Sequence, residues 1–327
     1  MTNLSDMPDD VLIKLFNITS PRDVTRVKRL NRRFNGVVEG YNLGKPRVRE
    51  LRIQTRSTEQ PPKIGRIRFG AKTPENLAPP KKLVLTMKHG EKGQKIVENE
   101  PTCSKSAFIE ENLRKIVINE TLNLEGLTID EEFHKTLCAK WNDLSKIENL
   151  SLNFCKIEIP MEKFANLLEK MRLKSLVFDF CTFEPSLICD RLFENLKMLE
   201  ILKIQPRSHC FFEKFTDFTL TSWKSRGFVP KEIGLYNCAT SISIEGIRNL
   251  METIPTQKID WDFGLLILEP AGSNSELLLS LMFSSGFELQ VNDDFQSRRL
   301  KLQKNRDFQL AFNIRHVFPM PQPPQTL

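Results

Sequence analysis

Seven cysteines and four histidines are the residues through which this chain could attack a carbonyl or hold a metal. His89, His134, His209 and His316 are scattered, with no second histidine or carboxylate at metal-ligand spacing. The stretch HGEKGQK (89–95) lacks the GxxxxGK[ST] order that cradles phosphates, and there is no GxSxG elbow. Paired acids such as Glu131–Glu132 and Asp293–Asp294 are chain neighbours, which aims them at water. Nothing in the spacing favours a Cys/His nucleophile pair, so a non-catalytic protein without cofactor or metal is expected. The cysteines (103, 138, 155, 181, 189, 210 and 238) are odd in number and form no CxxC pair. That usage suits free thiols in a reducing compartment, hence an intracellular protein, cytoplasmic, nuclear or both. Asp6, Asp9 and Asp10 interrupt any early apolar run, so no secretory signal is expected. No stretch approaches the ~18 apolar residues of a membrane span.

The cysteines instead mark a repeat. Aligning Cys155 with Cys181 superimposes IENLSLNFCKI (147–157) on LKSLVFDFCTF (173–183). Both fit L-x-x-L-x-L-x-x-C-x-L, through Ile147, Leu150, Leu152 and Ile157, then Leu173, Leu176, Phe178 and Phe183. A third copy keeps Leu199, Leu202 and Ile204 but has Arg207 in the cysteine slot. Later copies supply Ile233, Leu235 and Cys238, then Ile259 and Trp261. Looser ones precede them at Leu51/Ile53, Leu83/Leu85 and Ile116/Ile118. A period of about 20–30 residues with this template is the signature of leucine-rich repeats.

Each strand must be followed by an element that covers its apolar side. Amphipathic stretches at 131–144, 160–172, 185–196, 215–225, 243–254 and 275–285 read as those helices. Stacked strand–helix units bury a continuous core behind a ladder of parallel strands. The cysteine slot reads as a small buried side chain, and Phe154 and Phe180, 26 residues apart, as a stacked core ladder. Strand alternation turns the intervening residues outward: Asn149, Ser151, Asn153, Val177, Asp179, Lys203, Tyr236, Asp260 and Asp262. After Gly286 the pattern changes to period two, as in antiparallel strands sealing the last repeat. The tail PMPQPPQTL (319–327) reads as disordered. The fold class expected is α/β: N-terminal helices, then a leucine-rich-repeat-like solenoid with a parallel strand ladder and a C-terminal antiparallel cap.

Net charge is +7, unevenly placed. Residues 45–95 hold fourteen Lys/Arg against four Glu, a local excess of +10. Such a segment attracts phosphates through its field. It contains one aromatic, Phe69, which weighs against base stacking and for a solvated connector with embedded strands.

The opening segment, MPDDVLIKLFNITSPRDVTRVKRLNRRF (7–34), reads as two short amphipathic helices. The first offers Val11, Leu12, Leu15 and Phe16, with Pro8 at its start; the second offers Val24, Val27, Leu30, Phe34 and Val38. Ser20-Pro21-Arg22-Asp23 reads as a capping box. Segments this short do not hold a core unaided, so their apolar faces call for another surface.

Met7-Pro8-Asp9-Asp10-Val11-Leu12, then Asp23-Val24, then Leu30 and Phe34, resemble the F-box motif in order and spacing. With the cysteine-bearing repeats, the chain resembles F-box/leucine-rich-repeat proteins and looks most like the expanded nematode F-box families. The resemblance implies the substrate receptor of a Skp–cullin–F-box ubiquitin ligase. Pro8, Val11, Leu12, Leu15 and Phe16 would meet a Skp-type adaptor and, through it, a cullin and a RING protein. The outward strand residues would meet an unknown protein target, with no nucleic acid and no membrane as partner. The implied layout is F-box 1–44, basic connector with early repeats 45–100, repeats 101–286, β cap 287–318 and tail 319–327. A ubiquitin-independent repeat scaffold, or an RNA-associated protein using residues 45–95, are the alternatives.

Overall fold

The computed structural model describes residues 4–41, 43–57, 81–90, 93–99, 104–139, 143–251, 258–266, 288–293, 297–305 and 308–315. The helix expected at 275–285, the tail 319–327 and residues 58–80 of the basic segment lie outside them. The chain is mixed α/β and divides into two compact units, Met1–Leu150 and Ser151–Leu327. No described helix is long and apolar enough to cross a membrane.

The first unit opens with α1 (Asp9–Ile18), α2 (Pro21–Val27) and α3 (Arg32–Gly40). The second expected helix is therefore two. Asn31 accepts a hydrogen bond from Arg33 N at 2.8 Å and starts α3 afresh, which strands Leu30 in the turn at 77% exposure. At α2, Ser20 Oγ accepts from Asp23 N at 3.2 Å and donates to Asp23 Oδ2 at 2.7 Å. The return half of the cap thus runs through the hydroxyl rather than the Ser20 backbone. Leu12, Phe16, Val24, Phe34, Val37, Val38 and Leu43 close a small core, with Phe16 edge-on to Phe34 at 5.8 Å.

The unit continues through β1 (Arg47–Ser57), β2 (Lys81–Lys88), β3 (Gln94–Glu98), α4 (Lys105–Leu113), β4 (Val117–Glu125), β5 (Thr128–Ile129), α5 (Glu131–Leu137) and the start of β6 (Asn149–Asn153). β1 runs parallel to β4, with Leu51 opposite Leu122 and Ile53 opposite Leu124. It runs antiparallel to β2, which runs antiparallel to β3. Two expectations are corrected here. Leu83/Leu85 belong to a strand of opposite polarity, and the pair opposite Leu51/Ile53 is Leu122/Leu124, while Ile118 stands opposite Val48. The basic connector is mostly strand where described, and three of its cations face carboxylates. Arg49 Nε lies 2.7 Å from Glu120, Lys88 Nζ 2.7 Å from Glu50 and Lys82 Nζ 3.7 Å from Glu98.

The second unit carries the end of β6, then β7 (Lys156–Ile157), α6 (Met161–Glu169), β8 (Ser175–Cys181), α7 (Asp190–Phe193), β9 (Ile201–Pro206), β10 (Cys210–Thr216) and α8 (Asp217–Arg226). It ends with β11 (Glu232–Leu235), β12 (Cys238–Ser241), α9 (Ile244–Met251), β13 (Ile259–Leu266), β14 (Glu288–Asp293), β15 (Ser297–Asn305) and β16 (Phe308–Arg315). β8, β9, β11 and β13 are parallel and adjacent in that order. Their register sets Leu176, Leu202, Ile233 and Trp261 side by side. Trp261, not Ile259, therefore holds the repeat slot, and its indole N–H is satisfied by Pro230 O at 2.8 Å. β16 joins β13 in parallel, while β15 runs antiparallel to both β14 and β16.

On the helix side a second ladder appears that the apolar pattern did not show. Asp190, the first residue of α7, accepts from Thr216 N at 2.9 Å and Thr216 Oγ1 at 2.7 Å. Asp217, the first residue of α8, does the same for Ser243 N at 2.7 Å and Ser243 Oγ at 2.5 Å. Each carboxylate thus caps the next repeat while complementing the dipole of its own helix. A Cβ on Gly246 would stand 2.2 Å from Asp217 Oδ1, so the second rung requires glycine there.

Candidate functional site

The helix α1 is apolar on two sides. Leu12 and Phe16, four residues apart, point into the small core and are buried. Val11 is 39% exposed, Leu15 is half-buried and Pro8 is exposed. Ile18, one further turn along the Val11 side, is 84% exposed. The five residues expected at the adaptor surface are thus divided. Pro8 and Val11 remain outward, Leu15 is half-buried against the small core, and Leu12 and Phe16 are core residues. Ile18 was legible at i+7 from Val11 and was missed. Val11 and Ile18 thus stay in water although the core beneath α1 is closed.

The strand face is built by alternation. Along β8 and β9, Leu176, Phe178, Leu202 and Ile204 are buried, while Val177, Asp179 and Lys203 lie between them on the open side. Ser151 and Asn153 lie likewise on β6, joined by a 3.2 Å hydrogen bond, and Asn149 donates to Thr121 Oγ1 at 3.3 Å. On β11 and β13, Glu232 stands opposite Asp260 and Gly234 opposite Asp262. Lys203 Nζ lies 2.6 Å from Glu232, a contact that raises the lysine pKa. Tyr236 folds back over Gly234, where a Cβ would sit 2.7 Å from the phenol. Burial, then the carboxylates of Asp262, Asp260 and Glu232, raises the Tyr236 pKa. Asp262 departs from the expected outward row. It is only 8% exposed and accepts from Gly264 N at 3.1 Å.

The cysteine slot holds its expected buried thiols at Cys155, Cys181 and Cys238. The residue before each has left-handed backbone: Phe154 (φ 52°), Phe180 (φ 49°) and Asn237 (φ 53°). That turn swings the following thiol inward, and Cys181 Sγ donates to Leu152 O at 3.1 Å. In the β9 copy the turn position is Pro206, whose ring forbids a positive φ, and Arg207 stays outside. Contact with Cys155 and burial raise the Cys181 pKa, burial raises that of Cys238, and Cys210 is pushed up to about 11. These thiols stay protonated at neutral pH, which suits packing rather than attack. Phe154 and Phe180 do stack, at 5.6 Å and 6° between planes, but they are 62% and 41% exposed and not core residues. Elsewhere, His134 Nε2 lies 3.4 Å from Cys138 Sγ, one turn apart at the end of α5. Among the described residues no cluster of three His, Cys, Asp or Glu could hold a metal.

No curated protein is similar enough to this chain to count as a relative. The match that does emerge falls on the helices with the two-sided α1: residues 4–45 fit the F-box domain, a domain type that binds Skp-type adaptors of SCF-type ubiquitin ligases and whose bearers are typically non-catalytic.

Proposed function

We propose that this chain is the target-recognition subunit of a Skp–cullin–F-box ubiquitin ligase. The F-box would dock the adaptor through Pro8, Val11, Leu15 and Ile18, and through the adaptor reach the cullin and RING protein. The observation that carries this reading is the F-box match over helices that seal their own core yet keep Pro8, Val11 and Ile18 outward. Residues 101–286 would act as a leucine-rich-repeat-like solenoid, capped by 287–318 and joined to the F-box (1–44) by 45–100. The parallel register, the buried cysteine slot and the Asp190–Thr216 and Asp217–Ser243 rungs, 27 residues apart, support a repeat. The open strand face would take a protein target in the cytoplasm, the nucleus or both. No covalent step is required of the receptor, because holding the target near a ubiquitin-loaded enzyme raises its effective concentration.

The test is affinity purification of the tagged chain from cells, scored for adaptor, cullin and RNA. Adaptor and cullin should co-purify with the wild type and be lost together from Val11→Glu/Ile18→Glu. Recovery of adaptor without cullin would favour a scaffold acting without ubiquitin, and RNA without either would return the function to residues 45–95.

A further inference from the structure

The left-handed slot before the cysteine is filled in β11 by Asn237, a residue that adopts this conformation readily. In the two copies at β6 and β8 the same slot holds phenylalanine. A bulky residue there carries backbone strain that asparagine or glycine would largely avoid. Stacking one ring on the other offsets part of that strain and still leaves both rings exposed. The pair is thus neither buried nor the easiest choice for its backbone. It sits at the end of strands whose open side carries Asp179 and, further across, Glu232, Asp260 and Tyr236. Asp179 and Asp260 make no ion pair among the described residues, while Lys203 is engaged by Glu232. Arg207, Lys231 and Lys258 are further cations near this row, at the end of β9 and the starts of β11 and β13, and Lys231 is engaged by Glu200 at 2.7 Å.

We propose that this face of the second unit holds an extended target segment, with an apolar side chain on the Phe154–Phe180 pair and an arginine or lysine beside Tyr236, Glu232 and Asp260. Adjacent strands are about 4.8 Å apart, so β8 lies roughly 10–14 Å from β11 and β13. The register also sets Glu232 and Asp260 level with Ser175, about 16 Å back along the strand from Phe180, so roughly 19–22 Å, the span of about six extended residues, separates the two ends. An arginine suits the acidic end best, because its guanidinium pairs with carboxylate and stacks on the phenol ring together. The inference rests on the target-receptor reading and adds the chemistry of the target.

A random dodecapeptide phage library panned on the full-length chain, followed by fluorescence anisotropy of the enriched peptides, tests it. Enriched peptides should pair an apolar residue with Arg or Lys about six positions away. Phe154→Asn/Phe180→Asn should weaken them at least tenfold while leaving Tm unchanged or raised, because asparagine suits the slot. Asp260→Lys should weaken them at least threefold. Neutral or acidic peptides that are lost in the double asparagine variant would leave the docking face standing and overturn the basic target. A lowered Tm with peptide binding intact would make the rings structural and overturn the inference, as would a library that yields no binder. Adaptor binding, measured on the same variants, reports separately on the F-box reading.

Discussion

The F-box helices and the strand face both leave apolar side chains in water, but by opposite means. On α1 the exposed Val11 and Ile18 follow ordinary helical spacing, and the backbone carrying them is unstrained helix. At the ends of β6 and β8 the exposed rings sit on left-handed backbone that disfavours them. The first arrangement is what any amphipathic helix offers once its second side stays open. The second is specific to two repeats, since Asn237 occupies the equivalent slot in a third. A generic partner surface and a chain-specific one are thus distinguishable by what they demand of the backbone.

The sharpest way to break that comparison is to empty a core beneath each surface. Leu176→Ala in the repeat sheet, or Leu12→Ala in the F-box, should cost about 2–5 kcal/mol by urea unfolding. Were Leu12→Ala to lower adaptor affinity with no loss of stability, Leu12 would belong to the interface and not to the core. A smaller loss is expected at the helix ladder. Asp217→Ala leaves the Ser243 amide and hydroxyl without their acceptor and should cost about 1–3 kcal/mol. Gly246→Ala should be destabilising as well, by crowding the same carboxylate.

These examples also show what was legible in the chain. Alternation along Leu176–Phe178 and Leu202–Ile204 revealed buried strands, because one face of a strand reads every second residue. The cysteine slot was legible for the same reason. Polarity was not, because a strand has the same alternation in either direction, and β2 was therefore read as a repeat. Register failed at Ile259, where Trp261 two residues later preserves the pattern equally well. The break at Leu30 was available in Asn31, a strong N-cap, but the apolar spacing ran through it. The exposure of Phe154 and Phe180 depended on a turn whose left-handed residue is ordinarily glycine or asparagine. The division of α1 into inward Leu12 and Phe16, Leu15 at the margin of the core, and outward Val11 and Ile18 needed the position of α3.

Finer tests sharpen the comparison without disturbing the fold. The buried thiols Cys155, Cys181 and Cys238 should resist iodoacetamide in the native state and react once urea unfolds the second unit. For Cys181 and Cys238 the folded pKa is raised, so their contribution to stability is complete below the unfolded thiol value near 9.0 and is lost as pH rises above it. The smallest effect belongs to Lys203. Its pair with Glu232 is partly exposed, so Lys203→Met should change stability by under about 1 kcal/mol. Removing that cation should nevertheless tighten any basic peptide held by the face.

The central claim is that the outward stripe of α1, and not the core beneath it, engages the adaptor. Isothermal titration of a purified Skp-type adaptor into the full-length chain and into Val11→Glu/Ile18→Glu tests it most directly. Both substituted side chains are already exposed, so Tm should hold within the shift expected for surface changes of about 0.5 kcal/mol. The account predicts binding by the wild type and at least tenfold weaker binding by the variant, a loss of about 1.4 kcal/mol or more. Equal affinity for both chains, or no binding by a folded wild type, would contradict it.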